Sequence, residues 1–276
     1  MKLTMHKFAV TSLAVLLGLF PLHAMAQSGS FTIAQHGNAV GTATVTFHAT
    51  AKGYDTSSVV QVTMKGLNYS LSKTEQLSST NRLLHVQLSA TVNNSAVNVT
   101  AVPDAAQFVL NVSANGRSST TRLASHPATV FLPDFDPGAF DTLLALATTQ
   151  NSRDLWAILP KKSGTQDGTI VPVQVATYMD EKGTMDGQPI AVHHLVATIG
   201  GAKSDLFSGP NHQLLQAELP QQGFALVRKG FVLTPPAKAG APPAGARPPA
   251  GAAPQGPAQA PAQPQPQAQP QAPVQQ

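Results

Sequence analysis

Apolar and polar residues alternate through most of the chain. Ala43, Val45, Phe47 and Ala49 alternate with Thr44, Thr46 and His48. Leu84, Val86, Leu88, Ala90 and Val92 alternate with His85, Gln87, Ser89 and Thr91. Val97 and Val99 flank Asn98, and Ile190, Val192, His194 and Val196 form another such row. A period of two marks strands that bury one face. Thr and Val are abundant, and Asn94-Ser95, Asn115-Gly116, Ser163-Gly164-Thr165 and Gly200-Gly201 read as turns between runs. The spacing predicts about ten to twelve strands in a meandering antiparallel sheet.

One stretch departs from this period. Phe140, Leu143, Leu144 and Ala147 follow an i, i+3, i+4, i+7 pattern behind Asp136-Pro137. Asp136 suits the N-cap and Pro137 the first helical position, which predicts a helix from Pro137 to about Thr149. Its apolar face is expected to lie on the sheet. The fold class is therefore mainly β: a curved antiparallel sheet or half-barrel with one short central helix. Leu155, Trp156, Ile158 and Leu159 resume a buried apolar run after it.

The two ends differ from this middle. Lys2 and Lys7 precede a short apolar run, Phe8 to Phe20, and Ala24-Met25-Ala26 supplies small residues for cleavage. That layout is a secretory signal peptide over 1–26, with the mature chain expected to begin at Gln27 in the periplasm or outside the cell. The apolar run falls short of the roughly 20 residues a span needs, so no transmembrane segment is expected in the mature chain. From 235 to 276 the chain is almost only Pro, Ala, Gln and Gly, with more than half of the 23 prolines. Such a segment cannot bury enough apolar surface to offset its ordering entropy, so a disordered spacer is expected there. The β domain is thus bounded at 27–234.

Composition narrows the chemistry. There is no cysteine, which excludes disulfides, thiolate catalysis, cysteine metal sites and a lipid-anchored N-terminus. The formal charge of +4 comes from Lys2, Lys7, Lys238 and Arg247; without them the basic residues equal the 13 acidic ones. A neutral domain argues against a nucleic-acid partner.

Candidate chemical groups are few. His193 and His194 are strand neighbours, whose side chains point to opposite faces, so they are not read as a metal pair. One ring is expected inside the curved sheet and one on its solvent side. Asp134 and Asp136 flank Phe135; Asp136 is read as a helix cap and Asp134 as favourable charge near the helix start, not as an acid–base pair. Lys161-Lys162 is read as a solvated strand end. No nucleophile elbow, phosphate loop or paired-acid signature is present, so no catalytic residue, metal or cofactor is assigned.

The closing part of the domain carries a resemblance. GQPIAVHHLVATIGG (187–201), Asp205-Leu206-Phe207, NHQLLQAEL (211–219) and Gly223-Phe224-Ala225-Leu226-Val227-Arg228, with Val40-Gly41-Thr42-Ala43 near the start, resemble exported bacterial domains of unknown function. These are similar to the lipoprotein-localisation-factor superfamily, a curved antiparallel sheet covered by helices. The chain departs from many of them at Phe207-Ser208-Gly209, where a Trp and an acidic residue are common. The resemblance implies a hydrophobic concavity able to hold an acyl chain, with Phe47, Val62, Leu88, Phe108, Leu143, Leu144 and Trp156 as candidate lining. The expected function is a non-enzymatic exported domain that binds or carries a hydrophobic or lipid-like ligand. The alternatives are a structural or interaction module of the cell envelope with a Pro-rich spacer, and a hydrolase without a recognisable motif. N-terminal sequencing of the exported protein is expected to begin at Gln27; a chain that still begins at Met1 would remove the leader reading.

Overall fold

The computed structural model describes residues 28–149, 154–160 and 168–234. The expected leader and tail, Lys161-Lys162 and the turn at Ser163-Gly164-Thr165 lie outside them. Among the described residues there are seventeen strands and one helix. The first eight strands are β1 (Gly29–Gln35), β2 (Asn38–Thr50), β3 (Gly53–Met64), β4 (Leu67–Ser78), β5 (Leu83–Val92), β6 (Ser95–Asp104), β7 (Gln107–Ala114) and β8 (Arg117–Ala124). There follow β9 (Ala128–Phe131), α1 (Pro137–Thr149), β10 (Leu155–Leu159), β11 (Thr169–Thr177), β12 (Glu181–Met185) and β13 (Gln188–Ile199). The last are β14 (Ala202–Ser208), β15 (Leu214–Leu219), β16 (Phe224–Arg228) and β17 (Phe231–Leu233). The strand count exceeds the sequence expectation because β12 and β15 to β17 are short and carry little periodicity of their own.

Strands β1 to β8 form a continuous antiparallel meander. The other edge of β1 pairs with β16, and the sheet continues through β15, β14, β13, β11, β10 and β9. Every pairing is antiparallel except β9 with β10, which α1 connects as a crossover, and a parallel pair requires such a connection. The sheet is curved and does not close. Among the described residues no helix is long and apolar enough to cross a membrane.

Two-residue hairpins set the register. His36-Gly37, Asn93-Asn94, Asn115-Gly116 and Asp186-Gly187 all have positive φ at both positions, as the tight turns that match strand twist demand. The turn expected at Asn94-Ser95 therefore falls one residue earlier. At the start of β5 the register slips between Gln76 and Leu77. Leu83 is buried in consequence, and Leu84 is 42 % exposed instead of continuing the inward row.

The inner face of the meander is built in cross-strand rows. Ala43, Val60, Leu71, Ala90 and Val97 align in one; Val45, Ser58, Lys73, Leu88 and Val99 in the next. Most of these side chains join one large core with α1. A second, smaller core lies on the opposite face of the sheet, where β12 and β17 fold over Val192, Phe207 and Leu215 and add Phe231.

The helix begins as expected, with Asp136 Oδ1 accepting from Gly138 N at 2.9 Å. Its surroundings differ from the expectation of one apolar face. Asp136, Asp141, Thr142, Leu143, Leu144 and Leu146 are all nearly fully buried, so α1 is enclosed rather than laid on a surface. Gly138 permits the close approach, since a Cβ there would lie 2.7 Å from Ser58 Oγ on β3.

Enclosure requires partners for the polar groups carried inside. Lys73 Nζ on β4 lies 2.6 Å from Asp136 Oδ2 and 2.9 Å from Glu75 Oε2, with all three side chains fully buried. Thr56 Oγ1 donates to Glu75 Oε2 at 3.4 Å. Burial alone would lower the Lys73 pKa, but Asp136 and then Glu75 outweigh it and hold the ammonium above its ordinary range. Burial raises Glu75 despite the opposing pull of Lys73. Removing one partner of a buried charge cluster costs about 3–5 kcal/mol. Lys73→Met is accordingly expected to lower unfolding free energy by about that amount at neutral pH. The loss should shrink in acid, where the stranded carboxyls protonate; urea titrations at both pH values measure it.

Candidate functional site

One helix cannot cover this sheet. Eight strands at about 4.8 Å spacing extend roughly 34 Å, against a helix about 10–12 Å across. α1 packs on β2, β3, β9 and β15. The inner face of β4 to β7 is left to other cover, and there the side chains shorten: Leu88 gives way to Ala90 and Val92 along β5, facing Val97 and Val99 on β6 and Val112 on β7.

The result is a cavity of about 610 Å³. Leu67, Tyr69, Leu88, Ala90, Val97 and Val99 form its wall, and Pro133, Asp134, Phe135, Pro160 and Gln222 its opposite rim. Leu67, Ala90, Val92 and Val97 keep partial exposure within it. Its size and apolar lining are those of small-molecule sites, which run from about 300 to 1,000 Å³.

The rim segment is tightly set. Phe135 adopts a left-handed backbone, φ 59°, which for a bulky residue costs on the order of 1–3 kcal/mol and persists only when its surroundings impose it. Its ring meets Tyr69 edge-on at 5.9 Å between centroids and Phe224 at 4.7 Å. Tyr69 OH donates to the Asp134 carbonyl at 3.4 Å. Burial, then Asp134 and Asp136, push the Tyr69 phenol above its ordinary range, so it remains a donor.

Of the residues expected to line a concavity, Leu88 does so. Val62, Phe108, Leu143 and Leu144 belong to the packed core, and Phe47 packs against it. Trp156 is not among the residues of that core and stacks on His126, with centroids 3.9 Å apart and planes 7° apart. Alternation identified the inward rows but not how deeply α1 fills them.

The histidine pair has a structural setting. His194 Nδ1 is 3.2 Å from Glu181 Oε1 on β12, and its Nε2 is 2.9 Å from Asp205 Oδ1 on β14. The ring stacks on Phe207 at 4.5 Å, clipping β12 onto the second core. His193 Nδ1 lies 2.9 Å from Asp180 Oδ1 near the surface. Neither ring enters the main core, contrary to the expectation of one inside. Among the described residues no three His, Asp or Glu side chains converge as metal ligands.

On the outer face of β2 to β5 lies a polar groove of about 370 Å³. His48, Asp55, Gln76 and His85 align across it in register.

Beneath the cavity system Asp141 ties α1 to β15. Its Oδ1 accepts from Leu214 N at 2.6 Å, while Arg228 on β16 donates to the Leu214 and Ser28 carbonyls at 3.3 and 2.5 Å. Burial, opposed by the Leu214 bond and Arg228, pushes the Asp141 carboxyl from 3.8 up to about 7.

No family model and no curated protein matches this chain. Among solved structures it is similar to a DUF1089 family protein from Pseudomonas aeruginosa, at 8% identity over 65% of this chain and 90% of that one, with a TM-score of 0.39. That similarity does not single out the lipoprotein-localisation factors.

An acid with a raised folded-state pKa binds more protons folded than unfolded. Its stabilising contribution is full below about pH 4 and is lost as pH rises toward 7, at up to about 1.4 kcal/mol per pH unit. Asp141→Asn keeps an oxygen for Leu214 N, so its stability relative to the parent is expected to rise between pH 4 and 7. Thermal melts across that window test this; parallel profiles for the two proteins would contradict it.

Proposed function

We propose that the protein binds a hydrophobic or lipid-like small molecule in the cavity between β4–β7 and the Pro133–Phe135 rim. The observation that carries this reading is an apolar space of about 610 Å³ whose lining keeps partly exposed Leu67, Ala90, Val92 and Val97. Apolar surface left open to water in a pre-formed concavity gains roughly 25 cal/mol per Å² when a ligand covers it. The reading is of a binder or carrier without catalysis.

The leader extends this reading to location. We place the mature protein, from Gln27, in the periplasm or outside the cell, where an apolar passenger needs a protein to shield it from water. The Pro-rich tail then serves as a spacer from the domain.

Ala90→Trp fills the cavity from a position that is not fully buried and removes no core atom. It is expected to reduce binding of a fluorescent apolar dye at least tenfold while leaving the melting temperature nearly unchanged. Organic extraction of the full protein purified from the periplasm should release an apolar compound near stoichiometry. Absence of both saturable dye binding and any passenger would overturn the proposal.

A further inference from the structure

We propose that Phe135 determines the length of apolar ligand the protein accepts, an inference that rests on the cavity reading above. Behind the rim lies a second, smaller space of about 70 Å³, lined by Leu132, Phe140, Leu159, Ile199 and Leu219 among others. Pro133, Asp134, Phe135 and Gln222 line both spaces, so the rim segment is the wall between them. Phe135 is the large side chain in that wall, 7 % exposed and held between Tyr69 and Phe224.

Two observations bear on Phe135 independently. Its ring is the apolar part of the partition, and removing it would open the larger space toward Leu132, Phe140, Leu159, Ile199 and Leu219, which share the smaller space with the polar Asp134, Ser204 and Gln222. Its backbone is left-handed, where glycine is at ease and a bulky aromatic is not. A strained backbone at the wall of a cavity, held in place by the packing of its ring on Tyr69 and Phe224, points to a purpose beyond packing. Stopping the ligand at that depth is such a purpose: a chain that ends at the ring fits, and a longer one must leave methylenes in water.

The test is competition of octanol, decanol, dodecanol and hexadecanol against a fluorescent apolar dye on the full protein and on Phe135→Gly. Each additional buried methylene strengthens binding by about fourfold. In the parent, affinity should rise with length and then level off. In Phe135→Gly the rise should continue to longer alcohols, giving at least a tenfold gain for the longest over the parent. Phe135→Leu, which retains an apolar side chain between Tyr69 and Phe224, should extend the rise by less and decides the matter if the glycine variant does not fold. Identical length profiles in parent and variants would overturn the role of Phe135 while leaving the cavity reading intact. Failure of every alcohol to displace the dye from all three proteins would overturn both.

Discussion

The architecture depends on one buried electrostatic contact. Lys73 brings a positive charge from the middle of β4 to the N-cap of α1, where Asp136 and Glu75 receive it with no solvent access. Hydrophobic burial is non-directional and would accept α1 at many depths and rotations along an apolar concavity. A charge cluster desolvated to this extent tolerates only the arrangement that pairs it. Asp141 adds a second fixed point by accepting from Leu214 N, and the Cβ-free Gly138 lets the helix start reach β3. The helix is thus positioned at two polar anchors and then packed by leucines.

The position of α1 decides where space remains. Anchored toward β2, β3, β9 and β15, it leaves the β4–β7 side of the concavity to be covered by β9 and by the loop residues of the rim. At the cavity end the side chains shorten to Ala90, Val92 and Val97, and the rim segment that faces them is held by aromatic contacts rather than by secondary structure. A fold with one helix and a wide sheet therefore combines a packed core, which reaches Val86, Phe108 and Leu110, with a cavity at the end of β4–β7 where Leu67, Ala90, Val92 and Val97 keep partial exposure. The apolar cavity lies there, and Phe135, with its left-handed backbone, is part of its lining.

The histidines show how a pattern can attract attention without carrying chemistry. His194 lies within 3.2 Å of a carboxylate at each ring nitrogen, from two different strands, and stacks on Phe207, which makes it a clip for the β12–β17 flap. Its neighbour His193 meets Asp180 on the other side of the strand, as alternation requires. Lys73 and Glu75 are the converse case. They share the parity of Tyr69, Leu71 and Leu77, so charged residues at inward positions were visible in the sequence, but their partner Asp136 lies some sixty residues away.

Local physics in the sequence determined the strand alternation, the Asp136-Pro137 helix start and its span, the tight turn at Asn115-Gly116, and the mainly β class. These are properties of a few adjacent residues, and a period of two or a cap needs no distant partner. Tertiary structure decided the rest. A bulge turned Leu83 inward in place of Leu84, enclosure of α1 placed Leu143 and Leu144 in packed core, and Val62 and Phe108 joined the same core from the sheet. Leu88 belongs to that core and also borders the cavity, and Trp156 stacks on His126 outside the core. Depth within a concavity is set by which element fills it, and that depends on contacts between residues far apart in the chain.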